Sequence, residues 1–144
     1  MGNDLHLVKA VVGELADHGF DVAVFGGWAE ELLGVAPPWQ HRDIDLMLYL
    51  NDLQQLDRFV GLRGEVEAKR YSHKRAFVQA GTLVELFLAV REDGGLKTTF
   101  WDSLAYTWPG SRPVTRRNLP VVPVEVVNAY RRDYDKIQTA RPQA

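Results

Sequence analysis

The chain has no cysteine, which excludes disulfide bridges, thiolate zinc centres and cysteine nucleophiles and leaves carboxylate and imidazole to hold any metal. Oxygen ligands favour magnesium or manganese. Long apolar runs are also missing: Gly, Pro or a charged residue interrupts every stretch before the ~18 residues that span a bilayer, and no charged-then-apolar leader opens the chain. A soluble, cytoplasmic protein without a membrane partner is expected. Excess charge is lacking too. With 17 Lys/Arg against 19 Asp/Glu the net charge is -2, so a nucleic-acid partner is not expected. Internal repeats and low-complexity tracts are absent. What remains is 144 residues at 46% hydrophobic content, enough for one core and too short for two ordinary domains. We expect one domain over 1–144, with a core at 4–91 and an extension at 92–144.

Charge is uneven along that single domain. From Arg112 onward there are seven Lys/Arg against three Asp/Glu, while residues 1–111 hold ten against sixteen. The basic segment reads either as a solvated face or as a set of cations, Arg112, Arg116 and Arg117, beside a polyphosphate or an acidic partner.

Leu5, Val8, Val12 and Leu15 recur at helical spacing behind Asn3 or Asp4 and before Gly19, predicting a first helix. Residues 22–26 are β-branched and aromatic and predict a short buried strand. Gly26-Gly27 turns the chain into a short helix, Trp28 to Leu33, stopped by Gly34; Pro37-Pro38 makes the segment to Arg42 a loop. In the next strand, Ile44 to Leu50, alternation puts Asp43, Asp45, Met47 and Tyr49 on one face. Asn51 or Asp52 then caps a helix carrying Leu53, Leu56, Phe59 and Val60. Strand-like runs follow at Glu65 to Arg70, Lys74 to Ala80 and Leu83 to Val90, with short turns that imply antiparallel pairing. Beyond Gly94-Gly95 the pattern weakens to one strand at Leu96 to Trp101, a Pro/Gly-rich stretch from Pro109 to Pro113, and a helix at about 124–136 with Val126, Val127, Tyr130 and Tyr134 on one side. The fold class expected is α/β (α+β), a mixed, mostly antiparallel sheet flanked by helices.

The chemistry concentrates in Val22 to Leu50. Asp43 and Asp45, about 7 Å apart along one strand face, repel each other unless a cation lies between them. The strand-to-helix turn at Gly26-Gly27 leaves backbone N–H groups open to an anion such as a triphosphate. A metal-chelated nucleotide answers both features. A third carboxylate suits two-metal phosphoryl transfer, and Glu85 is the candidate. It sits mid-strand among apolar residues, where an unpaired charge is costly unless it faces a site. If its strand pairs with Ile44 to Leu50, it shares the aspartates' face. Arg42 could bind phosphate, Trp39 on its loop could stack on base or acceptor, and Tyr49 could line the pocket. His41 reads as orienting the loop by hydrogen bonds. Of Lys74 and Arg75, alternation lets only one face the cleft.

Gly26-Gly27-Trp28-Ala29, the short helix to Leu33-Gly34, His41-Arg42-Asp43-Ile44-Asp45-Leu46 and a later strand carboxylate resemble the minimal antibiotic nucleotidyltransferases of the polymerase-β superfamily. Members that share this resemblance are the aminoglycoside 2''-adenylyltransferases and the small lincosamide nucleotidyltransferases. The resemblance implies a polymerase-β-like fold. It also implies transfer of a nucleoside monophosphate, AMP in an adenylyltransferase, from a magnesium NTP to a hydroxyl of a small acceptor such as an aminoglycoside or lincosamide, with release of pyrophosphate. On the matching positions Asp43 and Asp45 would bind metal. Gly26, Gly27, Trp28 and Arg42 would contact the nucleotide, and Glu85 would ligate a metal and accept the hydroxyl's proton. The third acid in that family is commonly aspartate. An arginine often stands two residues before the motif histidine, where this chain has Trp39. Longer relatives cover the acceptor with a helical C-terminal domain; here a homodimer partner is expected to supply that wall.

Two other readings use the same residues. Glycosyltransferases also hold a nucleotide sugar through Asp-x-Asp and a metal, but they need a larger nucleotide-binding half-domain and no preceding Gly-Gly-Trp turn. A noncatalytic nucleotidyltransferase-like module would bind nucleotide or a partner protein without chemistry.

Overall fold

The computed structural model describes residues 3–110 and 112–142; Ser111 of the Pro/Gly-rich stretch and both chain ends lie outside the described residues. The first apolar periodicity forms α1 (Leu5–Asp17), whose cap Asp4 accepts a hydrogen bond from the Leu7 N–H at 2.9 Å. β1 (Val22–Phe25) is buried throughout. It runs directly into α2 (Gly26–Leu32), so the two glycines are the first helical residues rather than a turn before the helix. β2 (Asp43–Tyr49) and α3 (Leu53–Leu62), capped by Asp52, follow as expected.

The predicted strand over Glu65 to Arg70 is instead an irregular segment with a 3-10 turn at Glu67–Lys69. It makes one ladder-like bond, from the Val66 N–H to the Ala76 carbonyl, and Arg70 then ties the segment to Glu65 and Asp57 through ion pairs. β3 (Lys74–Gln79), β4 (Thr82–Glu92) and β5 (Gly95–Phe100) match their sequence patterns. The sequence pattern did not disclose β6 (Leu104–Trp108), β7 (Val114–Arg116) or β8 (Leu119–Val121). The last two span three residues each, too short for a period of two to register. α4 (Val124–Thr139) runs three residues past its expected end.

Among the described residues these elements form one eight-stranded sheet in the order β6-β5-β4-β2-β1-β8-β7, with β3 also paired to β4. The β2–β4 and β1–β8 pairs are parallel and the others antiparallel. The architecture is therefore α+β with a mixed, mostly antiparallel sheet, as expected. Its two faces are covered differently. Phe59 of α3 packs edge-on against Phe77 of β3, and His18 after α1 against the same Phe59, which places α1 and α3 on one side. Phe25, Phe87 and Trp108 project to the other side and meet Tyr130 of α4. Glu85 and Asp45 share that second face, so α4 roofs whatever the carboxylates do.

Gly26 is the one glycine where geometry leaves no alternative. Its φ is +61°, and an added Cβ would come 2.8 Å from the Asp45 Cβ. Gly34 has φ +73° with open space around it. Gly34→Ala should cost about 1 kcal/mol of unfolding free energy, and Gly26→Ala at least ~1–2 kcal/mol more, because it adds a clash to backbone strain. Denaturant midpoints of the two variants give the comparison; equal losses would show that Gly26 and Asp45 are not in contact.

Candidate active site

Four strands place the polar residues of the site in one row. Phe25 at the end of β1 pairs with Asp45 of β2, Asp45 with Glu85 of β4, and Glu85 with Ala76 of β3. Directly paired residues point to the same side of a sheet, and neighbouring strands lie ~4.8 Å apart. Asp45 and Glu85 are thus forced side by side, with Gly26 just past one end of the row and Lys74 past the other. Parallel pairing of β2 with β4 makes this possible for residues forty positions apart in sequence.

Glu85 is 7% exposed. Lys74 donates to its Oε2 at 2.8 Å, and Lys69 Nζ stands 3.9 Å from the same oxygen. Asp45 has no such partner: its Oδ1 is buried without a hydrogen bond. Burial first, then the neighbouring Glu85 and Asp43 carboxylates, push its pKa well above the usual carboxylate range, with Lys74 opposing them. Asp43 opens β2 on the same face and is exposed; its backbone carbonyl accepts from Asn3 Nδ2 at 2.9 Å.

The loop before β2 is clamped by His41. Its ring lies between Trp28 and Trp39, with centroids 4.2 and 4.1 Å away, and its Nε2 meets Glu31 Oε1 at 2.8 Å. This is the loop-orienting role read from the sequence. A Cβ on Gly27 would stand 3.0 Å from both His41 Nδ1 and Trp39 Cζ2, so glycine there lets the loop close on the helix. Trp39, 44% exposed, joins Gly27, Arg42, Asp43 and Asp45 around an open hollow of about 400 Å³.

Two sequence-predicted site residues are not brought to the carboxylate row. Trp28 is buried and donates its indole N–H to Asn3 Oδ1 at 2.8 Å, so it supports His41 from beneath rather than facing either hollow. Tyr49 sits four residues along β2 from Asp45, ~13 Å away, paired with Ala89 and lining a separate hollow with Phe20 and Asp21.

The main cleft, about 910 Å³, is bounded by Gly26, Gly27, Asp45, Glu85 and Lys74 on the sheet side and by Tyr130, Arg131, Tyr134 and Asp135 of α4 opposite them. Beyond Lys74 it ends at Tyr71, Trp101 and Arg141. α4 of the same chain forms the wall opposite the carboxylates. Of the alternating pair, Lys74 faces the cleft; Arg75 turns to Asp57 at 2.7 Å. From the basic C-terminal segment, Arg131 and Arg141 reach the cleft, whereas Arg116 and Arg117 are exposed on the β7–β8 hairpin and Arg112 borders a different hollow. The i, i+4 pair Tyr130 and Tyr134 was visible as one helix face; that the face lay over the carboxylates was not.

Among the described residues no group of three His, Asp or Glu side chains forms a ready metal cage. The reason is geometric: Lys74 holds Glu85, and Asp43 is turned to solvent. The donor set nonetheless fits a hard divalent cation, because Asp45 carries an unsatisfied buried oxygen and two further carboxylates, Glu85 and Asp43, act on it.

A buried carboxylate held against two others destabilises the metal-free fold. Since Asp45 titrates higher when folded than unfolded, the folded chain binds the extra proton. The metal-free protein should therefore lose stability as pH rises from the ordinary carboxylate range toward neutrality. Asp45→Asn should flatten that slope, gain roughly 1 kcal/mol at neutral pH in a chelator, and lose any magnesium-dependent gain in Tm. Thermal melts with and without magnesium test this; a variant less stable than the parent in chelator would contradict it.

Comparison with known proteins gives the same fold. No protein-family model matches the sequence, and no curated protein matches it at a significant level. Solved structures do match. The lincosamide antibiotic adenylyltransferase LnuA, lincomycin-bound, superposes with a TM-score of 0.70 at 13% identity over 97% of this chain and 98% of that one. ANT(2'')-Ia in complex with adenylyl-2''-tobramycin gives 0.63 at 16% identity over 95% and 80%. A provisionally assigned nucleotidyltransferase from Thermotoga maritima gives 0.63 at 18% over 94% and 87%. The chain accordingly has the fold of the minimal nucleotidyltransferases that its sequence motif resembles.

Proposed function

We propose that this chain is a metal-dependent nucleotidyltransferase that moves a nucleoside monophosphate, AMP in the first instance, from an NTP to a hydroxyl of a small acceptor and releases pyrophosphate. The observation that carries the reading is the in-register pair of Asp45 and Glu85, one with a buried unsatisfied oxygen and the other anchored by a lysine, beside the Gly26-Gly27 helix start. The fold shared with two antibiotic adenylyltransferases supports it.

Asp43 and Asp45 would hold the divalent cation with Glu85 as third oxygen donor, and bound there it supplies charge neutralisation and Lewis acidity at the phosphoryl oxygens. Gly26 and Gly27, lacking side chains, let the polyphosphate approach the backbone closely. Arg42 and Trp39, on the outer side of Asp45, contribute nucleotide and base contacts. Glu85 accepts the proton of the attacking hydroxyl, and Lys74 fixes the carboxylate's position by its 2.8 Å bond. In-line displacement puts the hydroxyl on the side away from the leaving pyrophosphate. Tyr130 and the rest of the α4 roof limit water access, which protects the NTP from hydrolysis.

Incubation with labelled ATP, magnesium and a panel of small hydroxylated acceptors, neutral, cationic and anionic, that includes lincosamides and aminoglycosides should yield a nucleotidylated product and pyrophosphate with at least one of them. Glu85→Gln should lower kcat by roughly 10²- to 10⁴-fold with a modest change in the KM for ATP. Transfer that survives Asp45→Ala would rule out the metal role assigned to it.

A further inference from the structure

The cleft has two chemically different ends. At one, Arg131 of α4 lies 3.7 Å from Glu30 of α2, so the cation next to the helix start is already paired. At the other, past Glu85, the lining residues are Lys69, Lys74, Tyr71, Trp101 and Arg141. Of the acids that line the cleft among the described residues, Glu30 and Asp45 lie toward the helix start, Glu85 lies mid-cleft, and Asp135 lies on α4 between Arg131 and Arg141.

Arg141 is held there rather than loosely exposed. Its Nη2 donates to the Tyr71 hydroxyl at 3.0 Å, and its guanidinium stands 4.9 Å from the Trp101 ring centroid and 5.5 Å from that of Tyr71. Trp101 is itself fixed, donating its indole N–H to the Ile137 carbonyl at 2.9 Å. One hydrogen bond and two ring contacts leave most of the five guanidinium N–H donors free in a preorganised fork, the geometry that suits carboxylate or phosphate. Lys69, with a side chain 44% exposed and only a distant 3.9 Å approach to Glu85, adds a second cation. Lys74 is committed to Glu85.

If transfer runs in line, the pyrophosphate leaves toward Gly26 and the acceptor enters from the Glu85 side, which is this cationic end. We propose that the acceptor carries an anionic group, carboxylate or phosphate, that docks on Arg141 and Lys69 while its hydroxyl reaches Glu85. The inference rests on the nucleotidyl-transfer reading. It names an acceptor class opposite in charge to a polyamine such as tobramycin: several ammonium groups would meet the cations Lys69, Lys74 and Arg141 there.

The full-length chain, saturated with magnesium and a nonhydrolysable ATP analogue, is titrated with D-glucuronate, glucose 6-phosphate, methyl glucoside and tobramycin while the tryptophan indole N–H resonances are followed by NMR. The Trp101 signal should shift with glucuronate or glucose 6-phosphate at least tenfold more tightly than with methyl glucoside, and not with tobramycin. The tighter of the two anions identifies carboxylate or phosphate as the favoured group. Arg141→Glu should weaken the anion at least tenfold, whereas Arg141→Lys, which keeps the charge but loses the fork, should weaken it by less than Arg141→Glu does. Tighter binding of tobramycin than of both anions, a silent Trp101 signal, or unchanged anion binding in Arg141→Glu overturns the proposal. Failure of the ATP analogue to bind with magnesium would instead strike the transfer reading. The anion titration is then repeated on the chain alone, where loss in Arg141→Glu still supports the subsite and no change overturns it.

Discussion

The structure turns on a repulsion. Two carboxylates, Asp45 and Glu85, are locked into adjacent positions by parallel pairing of β2 with β4, Glu85 buried and Asp45 half-buried, where screening by water is reduced. Each is managed differently. Glu85 is compensated by Lys74, while Asp45 is left with a buried oxygen that nothing among the described residues satisfies. Such an arrangement lowers stability, and proteins retain it where a ligand supplies the missing charge. Gly26 is part of the same constraint, since any side chain there would collide with Asp45.

The central motif could be read from sequence because its information is local. A glycine pair ending an apolar strand and two acids at i, i+2 determine backbone shape and side-chain direction over a few residues, and His41 behaved as the loop clamp its position suggested. Glu85 was found by a cost argument, a charge amid apolar strand residues, which needs no knowledge of the partner strand. Tyr49 shows the limit of the same logic: alternation gives its face correctly but says nothing of the ~13 Å that separates it from the acids. Trp28 needed information from further away, because an indole beside a glycine turn can face in or out, and the Asn3 Oδ1 that accepts its hydrogen bond lies 25 residues away.

Tertiary placement was the part that stayed hidden. The Glu65 to Arg70 run has strand-like composition, yet both edges of the first half of β4 are taken by β2 and β3, and Arg70 finds carboxylates instead. β7 and β8 are three-residue pieces held by their neighbours rather than by their own pattern. α4 was legible as a helix, but not as the roof that brings Tyr130, Arg131 and, just past its end, Arg141 over the carboxylates. The cleft under α4 runs from the glycine pair at one end to Arg141 at the other.

The central claim is that the Asp45 oxygen is left unsatisfied for a cation. A crystal structure of the chain with manganese and a nonhydrolysable ATP analogue tests it most directly through the anomalous signal of the metal. The account predicts a manganese peak about 2.2 Å from carboxylate oxygens of both Asp43 and Asp45, with Glu85 drawn away from Lys74 toward the site. A peak elsewhere, or nucleotide bound in the cleft with Asp45 Oδ1 still bare, would contradict it.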